Sequence, residues 1–270
     1  MAEPAEPLRA SVGARPGLTV TTITRNEAER LPACLERVTW AEEIVVVDAD
    51  STDGTAEVAR KFTAKVFVRP WPGFAAQKNF ALAQATQPWV LSLDADEQVT
   101  PELRAAIKAT LEADGPLDGY YVPRQNVFLG QWIRHGTWYP DYQLRLFRRG
   151  RGVFRTVAVH EGVELTGRHG YLRSPLLHAS YRSVEEFVQR SNTYSTLAAE
   201  DLVRGGRPIS WATVLLRPLG RFLSMYLLHR GFLDGRAGFI LAVLYSHYVF
   251  LRCLKAWELQ RGEAAPRAKR

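Results

Sequence analysis

The chain has 270 residues, enough to bury a sizeable core as one large domain or as one domain with an appendage. Hydrophobic residues make up 46% and charged residues 23%, the composition of an ordinary folded protein. The two cysteines, Cys34 and Cys253, give no pattern for a disulfide framework or a zinc site, which favours a reducing compartment.

The net charge of +7 is distributed unevenly along the chain. Residues 203–270 carry twelve Lys or Arg against three acidic residues, a charge of +9, whereas the rest holds 23 basic and 25 acidic residues, a charge of −2. This asymmetry predicts an anionic surface as a partner. The basic residues are dispersed among large aliphatics, which favours an anionic membrane surface over nucleic acid. Residues 1–16 are rich in Ala, Pro and Glu without an apolar run, so we expect a disordered lead-in and no signal peptide.

The first hundred residues alternate between strand and helix patterns. Apolar and β-branched runs of four to seven residues predict strands, and apolar residues at helical spacing predict the segments between them. The predicted strands are 18–24, 43–48, 65–68 and 89–93, and the predicted helices are 27–38, 55–61 and 75–86. This alternation favours an α/β fold with a mostly parallel sheet and helices on both faces.

The second half of the chain follows other patterns. Residues 119–165 contain short β-like runs without a helical period, and they are expected to cover the ligand edge of the sheet. Residues 184–203 are helical, and residues 209–260 predict an amphipathic helix pair whose last apolar run, 239–251, is too short for a span of about 20 residues. With its Arg, Lys, Trp and Tyr residues the pair suits a membrane interface, the alternative being a pair packed on the sheet domain.

Three carboxylates follow the strand at 89–93, in the order Asp94, Asp96, Glu97. The carboxyl end of a parallel strand is where open α/β sheets bind ligands. Hard oxygen ligands at that position suit Mg²⁺ or Mn²⁺. The alternative is an acidic turn before the helix that Thr100 and Pro101 begin, since Thr is a good N-cap and Pro a good first residue.

Four ordered motifs carry a resemblance. They are TTITRNEAERL, VVVDADSTDGT, GFAAQKNFAL and LSLDADE, and together they resemble the family 2 glycosyltransferases with the GT-A fold over roughly residues 18–180. The later segments PDYQLRLFRR, VHEGVEL, LLHASY and GFLDGRAGF are similar to the subgroup that builds lipopolysaccharide inner core, including β-1,4-glucosyltransferases that modify core heptose. We therefore expect a GT-A domain at 17–183 and a helical, basic, membrane-associating region at 184–270.

The resemblance implies roles for individual residues. It assigns metal binding to Asp96 with Asp94, and it assigns donor binding to Thr24, Asn26, Glu27, Asp48, Lys78 and Asp94. Many relatives have two adjacent aspartates where this chain has Asp48-Ala49-Asp50, which leaves the part of Asp50 open. Asn26, Asp48 and Asp53 are also ordinary turn or capping residues, and Lys78 can be a solvated helix lysine.

The implied chemistry needs a base on the acceptor side. An acceptor hydroxyl attacks the anomeric carbon opposite the leaving diphosphate, which inverts the configuration, and a carboxylate with a raised pKa serves best as base near neutral pH. Glu161 is the favoured candidate and Asp141 the second. His160 orients that carboxylate or adds a metal ligand, and His178 is either a further metal ligand or a structural residue.

The sequence thus predicts an inverting, metal-dependent glycosyltransferase that uses a nucleotide-sugar, with UDP-hexose as donor by resemblance. Its expected acceptor is a lipid-linked saccharide at the cytoplasmic face of a bacterial inner membrane. A nucleotidyltransferase is one alternative, but it needs a Gly-rich basic loop where this chain has RNEAERL. A non-catalytic, membrane-docked sugar-binding protein is another, and it predicts loss of carboxylates that are present here.

Overall fold

The computed structural model describes residues 15–156, 161–181, 183–206 and 208–264, so His160 and most of the predicted lead-in lie outside the described residues. The strands are β1 (Leu18–Thr24), β2 (Glu43–Asp48), β3 (Val66–Val68), β4 (Trp89–Asp94), β5 (Glu97–Val99), β6 (Gly119–Phe128), β7 (Gln131–Trp132), β8 (Asp141–Arg148), β9 (Gly152–Thr156), β10 (Glu161–Leu165), β11 (His169–Tyr171) and β12 (Leu176–Tyr181). The helices are α1 (Leu31–Glu36), α2 (Thr55–Arg60), α3 (Phe74–Ala83), α4 (Pro101–Ala113), α5 (Val184–Arg204), α6 (Trp211–Leu223) and α7 (Gly235–Ala264).

One mixed sheet forms the centre of the described chain, with the strand order β3-β2-β1-β4-β8-β6-β12-β5. The strands from β3 to β4 are parallel, as the strand and helix alternation predicts. Beyond them β8 runs antiparallel to both β4 and β6, and β12 is parallel to β6. The predicted α/β class with a GT-A sheet is confirmed, and the segment after α4 contributes strands to that same sheet.

Helices cover both faces of the parallel half because its strands are apolar on both sides. On one face, Leu31 of α1 and Leu103 of α4 pack with Val20 in the largest buried cluster. On the other face, Ala81 of α3 packs against Val47. Burial on both faces explains the continuous apolar runs of β2 and β4.

The C-terminal helices differ from the prediction in one respect. A π-helical turn (Ser224–Leu228) and a 3-10 turn (Gly231–Asp234) connect α6 to α7. The apolar run 239–251 lies inside the 30-residue helix α7, because the glycines before it belong to the helix and do not end it. By length and composition this helix could cross a membrane, and 33% of its most apolar window is buried inside the protein. The run 239–251 is therefore one part of a longer helix, and the length of that helix was not predicted from the sequence.

Candidate active site

The carboxyl ends of β1, β2 and β4 meet at one edge of the sheet because the three strands are parallel neighbours. Thr24 pairs with Asp48 in the register of β1 and β2. Ile23 pairs with Asp94 in the register of β1 and β4. The structure thus brings together residues from three predicted donor-binding segments, at the edge where open α/β sheets bind ligands.

Asp48 is 1% exposed and joins the loops that follow β1 and β2. Its Oδ1 accepts hydrogen bonds from Thr24 Oγ1 at 2.9 Å and from Ser51 Oγ at 2.6 Å, and its Oδ2 accepts from the Ser51 N–H at 2.9 Å. Asn26 has a left-handed backbone with a φ of 55°, and its Oδ1 accepts from the Thr52 N–H at 2.9 Å. These bonds fix the loops at this edge of the sheet, and contact with a donor stays a prediction for both residues.

Glu27 lies where the loop after β1 meets the helical region. Its carboxylate is 3.7 Å from the guanidinium of Arg30, which is 2.6 Å from the carboxylate of Glu186 in the first turn of α5. Burial by itself would lower the pKa of Arg30, but the carboxylates of Glu186 and Glu27 outweigh burial and raise that pKa. An ion-pair chain therefore links the predicted donor loop to α5.

A second ion-pair chain surrounds the end of β4. The Lys78 ammonium lies 2.8 Å from Asp94 Oδ1, and the Arg145 guanidinium lies 2.5 Å from Asp94 Oδ2. Arg145 also lies 2.5 Å from Glu97 Oε1, and Arg124 lies 3.8 Å from that same oxygen. Glu97 is fully buried, so its charge is balanced inside the protein by the two arginines.

Arg145 is a residue of this site that the sequence analysis missed. Tyr120 pairs with Leu146 whereas Tyr121 pairs with Leu144, so β8 has one extra residue at Arg145. A bulge re-aims the side chains around it, and here the guanidinium reaches the end of β4. The signal in the sequence was an arginine between two leucines of a strand, and nothing local indicated its partners.

The ion pairs fix the ionisation of this cluster. Burial by itself would raise the pKa of the Asp94 carboxyl, but the charges of Arg145 and Lys78 outweigh burial and hold that pKa well below its usual range. Burial would lower the pKa of Arg145, and the carboxylates of Asp94 and Glu97 instead raise it. Asp94 and Arg145 therefore stay charged throughout the physiological pH range.

Asp96 faces His178, which extends from β12. Their Oδ2 and Nε2 atoms are 3.6 Å apart, and the His178 Nδ1 lies 2.6 Å from Asn126 Oδ1. The Asn126 Nδ2 donates to the Trp138 carbonyl at 3.0 Å and to Asp141 Oδ2 at 3.1 Å, so two acceptors fix the orientation of the amide. Its Oδ1 must then accept from Nδ1–H, which leaves Nε2 directed at Asp96.

Asp96 and His178 are the described residues that best fit a divalent cation. Burial would raise the pKa of Asp96, but the hydrogen bond and charge of a protonated His178 outweigh burial and lower that pKa. A bound cation would take the place of the ring proton on Nε2. The described chain contains no group of three or more His, Cys, Asp or Glu arranged around one metal position. Two protein ligands are enough for Mg²⁺ or Mn²⁺, because waters and substrate phosphates complete the coordination of these ions. Both oxygens of Asp94 are paired with Lys78 and Arg145.

Asp141 begins β8 and is held by three donors. Arg124 lies 2.5 Å from its Oδ2, Asn126 donates to the same oxygen at 3.1 Å, and Gln143 donates to Oδ1 at 2.8 Å. Burial would raise the pKa of Asp141, but the charge of Arg124 and the hydrogen bonds outweigh burial and lower it. This differs from the raised pKa that the sequence analysis expects of a base.

Glu161 is the first residue of β10, and its side chain, like the whole of His160, lies outside the described structure. The β9–β10 hairpin is fixed to α3 through Asn79, whose side chain accepts from the Phe154 N–H at 2.9 Å and donates to the Phe154 carbonyl at 2.8 Å. The Lys78 ammonium is 5.1 Å from the centre of the Phe154 ring. The hairpin that carries Glu161 is therefore anchored beside the partner of Asp94.

A mixed sheet whose parallel half ends in this carboxylate-rich edge has the architecture of a GT-A glycosyltransferase. The family model for glycosyl transferase family 2 matches residues 19–164, more than half of the chain. The chain therefore belongs to glycosyltransferase family 2, and it is an enzyme of the glycosyltransferase class.

Alignments with known proteins cover nearly the whole length of the chain. The lipopolysaccharide core biosynthesis glycosyltransferase LpsC of Rhizobium meliloti (strain 1021) is 33% identical over 256 residues, which are 92% of this chain and 95% of LpsC. An uncharacterized glycosyltransferase of Rickettsia typhi is 30% identical over 250 residues, 88% of this chain and 85% of that protein. Among solved structures, the mannosyltransferase PcManGT from Pyrobaculum calidifontis, in complex with GDP-Man and Mn²⁺, gives a TM-score of 0.47 at 18% identity, covering 97% of this chain and 79% of that one.

Proposed function

We propose that the protein is an inverting, metal-dependent glycosyltransferase that moves a hexose from a UDP-sugar to a lipid-linked saccharide of the lipopolysaccharide-core type. The observation that carries the proposal is the shared edge of β1, β2 and β4. There Asp48 ends β2, Asp94 ends β4 with Asp96 just after it, and Lys78 and Arg145 pair with Asp94. The acceptor class is supported by the name of the Rhizobium meliloti relative.

The donor would lie across this edge of the sheet. Thr24, Asn26, Glu27 and Asp48 would border the nucleoside, since they line the loops after β1 and β2. Lys78 would lie against the diphosphate of the donor, and its ammonium group would exchange the Asp94 carboxylate for the diphosphate. A diphosphate carries more negative charge than one carboxylate, so the exchange of partners at Lys78 favours donor binding.

A divalent cation would be held by Asp96 and His178, with Asp94 nearby. When bound, such a cation neutralises the charge that develops on the leaving diphosphate. The Asn126 amide supports this arrangement because it holds the imidazole with Nε2 toward Asp96. A partner at the second ring nitrogen is the usual feature of metal-binding histidines.

The acceptor hydroxyl attacks the anomeric carbon from the face opposite the diphosphate, and a base removes its proton. We assign this role to Glu161, with Asp141 second and His160 as a group that orients the base. The three donors on Asp141 and its lowered pKa make it the weaker base at neutral pH. Its carboxylate suits a hydrogen bond to an acceptor hydroxyl.

A lipid-linked acceptor places the enzyme at a membrane, which we take to be the cytoplasmic face of the bacterial inner membrane. The charge of +9 on residues 203–270 supports this location. Each Lys or Arg close to an anionic leaflet contributes about 1 kcal/mol of attraction.

Calorimetric titration with UDP, with and without Mn²⁺, tests the proposal. We expect metal-dependent binding of UDP that Asp96→Ala abolishes, because that substitution removes a cation ligand. Asp114→Asn is the matched control, since Asp114 ends α4 in a left-handed conformation that Asn tolerates. Absence of UDP binding under either condition would exclude the UDP donor, and binding unaffected by Asp96→Ala would exclude the assigned cation ligand.

A further inference from the structure

One side of α6 and of the turn that follows it is apolar and uncovered. Large side chains recur every fourth residue and are 41% to 54% exposed, namely Trp211, Leu215, Leu219, Leu223 and Leu227. Spacing of four residues places them along one side of a helix. Further exposed apolar side chains occur on α6, in the turn and at the start of α7, namely Leu216, Leu228, Phe232, Leu233 and Phe239. We call these ten residues the α6 apolar face, and clustered exposed apolar side chains of this kind mark a binding surface.

The opposite side of α6 is packed on the protein. Val214 is fully buried against Val249 and Cys253 of α7. The Ser246 hydroxyl of α7 donates to the Pro218 carbonyl at 2.8 Å. The α6 apolar face is therefore the outer side of a helix whose other side is docked on α7.

The sequence that carries this face is basic. The sequence contains no acidic residue from 202 to 233, a stretch that includes Arg204, Arg207, Arg217, Arg221 and Arg230. Arg217 and Arg230 are exposed, as is Arg236 at the start of α7. In a symmetric contact with a second copy, arginines of the two basic surfaces would face one another. An anionic bilayer instead matches both the apolar face and the arginines that border it.

Helix α7 is held on the protein by specific contacts with α5 and with the sheet domain. The Lys255 ammonium donates to Asn192, Ser195 and Thr196 of α5 at distances of 2.8 to 2.9 Å. The Tyr245 ring packs edge-on against Trp138, with ring centres 6.1 Å apart. A membrane-spanning arrangement of α7 would break these contacts and leave the Lys255 ammonium without its partners.

We propose that α6 and the turn after it insert into one leaflet of an anionic bilayer, with α6 in the plane of the membrane and α7 supporting it from the protein side. This rests on the proposed function, and it names the surface through which the enzyme would contact the membrane that holds a lipid-linked acceptor. Asp234, at the end of the turn, accepts hydrogen bonds from the N–H groups of Arg134 and His135 at 3.2 and 2.8 Å. The inserted surface is thereby joined to the loop that leads into Asp141, on the acceptor side of the site.

Flotation of the full chain with vesicles tests the inference. We expect binding to vesicles of phosphatidylethanolamine and phosphatidylglycerol that Leu215→Gln/Leu219→Gln weakens by at least roughly tenfold, since two half-exposed leucines lose their apolar contact. Val68→Gln/Val153→Gln is the matched control, because both valines are about as exposed but lie on strands outside the α6 apolar face. Arg217→Gln/Arg230→Gln should weaken binding to the anionic vesicles by roughly five- to thirtyfold.

Three outcomes would overturn the inference. Equal loss in the valine control would show that the α6 apolar face is not the contact. Bound protein that resists extraction at alkaline pH would indicate a spanning helix. A lipid-free dimer that Leu215→Gln/Leu219→Gln dissociates would identify a second copy as the occupant. UDP titration of the leucine variant separates this inference from the donor site, because we expect its UDP binding to match that of the unsubstituted chain.

Discussion

Neighbouring carboxylates of one motif have different surroundings at the end of β4. Asp94 and Glu97 share the Arg145 guanidinium and are neutralised within the protein, whereas Asp96 faces the imidazole of His178. A carboxylate held by a guanidinium serves as part of a fixed ion pair, and one that faces an imidazole suits a shared cation. The residue type is the same for Asp94 and Asp96, so only their partners separate the two roles.

Replacing Arg145 tests the buried ion-pair chain. Arg145→Met leaves Asp94 with Lys78 and leaves the fully buried Glu97 with the more distant Arg124. We expect the free energy of unfolding to fall by about 3–5 kcal/mol, the typical cost of removing one partner of a buried pair. Urea unfolding at pH 7 measures this change.

Arg149→Met is the matched control, because Arg149 follows β8 and is exposed. Its free energy of unfolding should change by less than about 0.5 kcal/mol. Equal stability of the Arg145 and Arg149 variants would show that the ion-pair chain contributes little to the fold.

At the scale of elements, the turn between α6 and α7 is a junction between the helical region and the sheet domain. Asp234 is 5% exposed, and its Oδ1 also lies 3.0 Å from the His135 Nδ1. A Cβ at Gly238 would lie 1.9 Å from the Gly231 carbonyl oxygen, so only glycine permits this approach of α7 to the turn. The segment GFLDGRAGF therefore has a structural reason for its glycines and its aspartate.

Asp234→Asn tests that junction. The Asn amide places an NH₂ group where the carboxylate accepts from N–H donors of Arg134 and His135, so at least one part-buried donor loses its acceptor. We expect a loss of about 1–3 kcal/mol in the free energy of unfolding and faster hydrogen exchange across 131–138. Asp114→Asn removes only a part-exposed ion pair with Arg148 and should leave the exchange across 131–138 unchanged. Unchanged exchange in the Asp234 variant would contradict the assigned contact.

At the scale of the whole molecule, the fold depends on carboxylates that stay ionised. Burial would raise the pKa of Glu43, but its contacts with Lys65, Thr19 and Thr86 outweigh burial and lower the pKa to about 2. Glu43 thereby connects β1, β2 and the segment between α3 and β4. A carboxyl whose pKa is lower in the folded state stabilises the fold above its unfolded pKa, and this stabilisation is lost as the pH falls toward the folded pKa.

Acid unfolding tests this dependence. Glu43→Gln should lower the free energy of unfolding by about 2–3 kcal/mol at pH 7. The difference from the unsubstituted chain should shrink as the pH falls from 4.5 to about 2, the interval between the ordinary and the folded pKa of Glu43. Urea unfolding at several pH values measures both curves, and a difference that stays constant with pH would show that the Glu43 charge is not responsible.

Sequence alone determined the parallel half of the sheet and the edge where the candidate site lies. The apolar and β-branched runs of β1, β2 and β4 are local signals for strands, and the polar residues that end each run are visible in the same pattern. Thr100 and Pro101 likewise begin α4, and Thr100 Oγ1 accepts from the Leu103 N–H at 3.1 Å. These features depend on residues a few positions apart, which is why a pattern can predict them.

Tertiary structure alone decided which partners the site residues have. Arg145 reaches Asp94 because β8 pairs with β4 and contains a bulge, and Asn126 reaches His178 because β6 pairs with β12. The Gly231 carbonyl packs closely on Gly238 because the turn lies against α7. The physical reason is common to all three: strand pairing, bulge position and close backbone packing are set by contacts between distant segments, whose energies no local pattern contains.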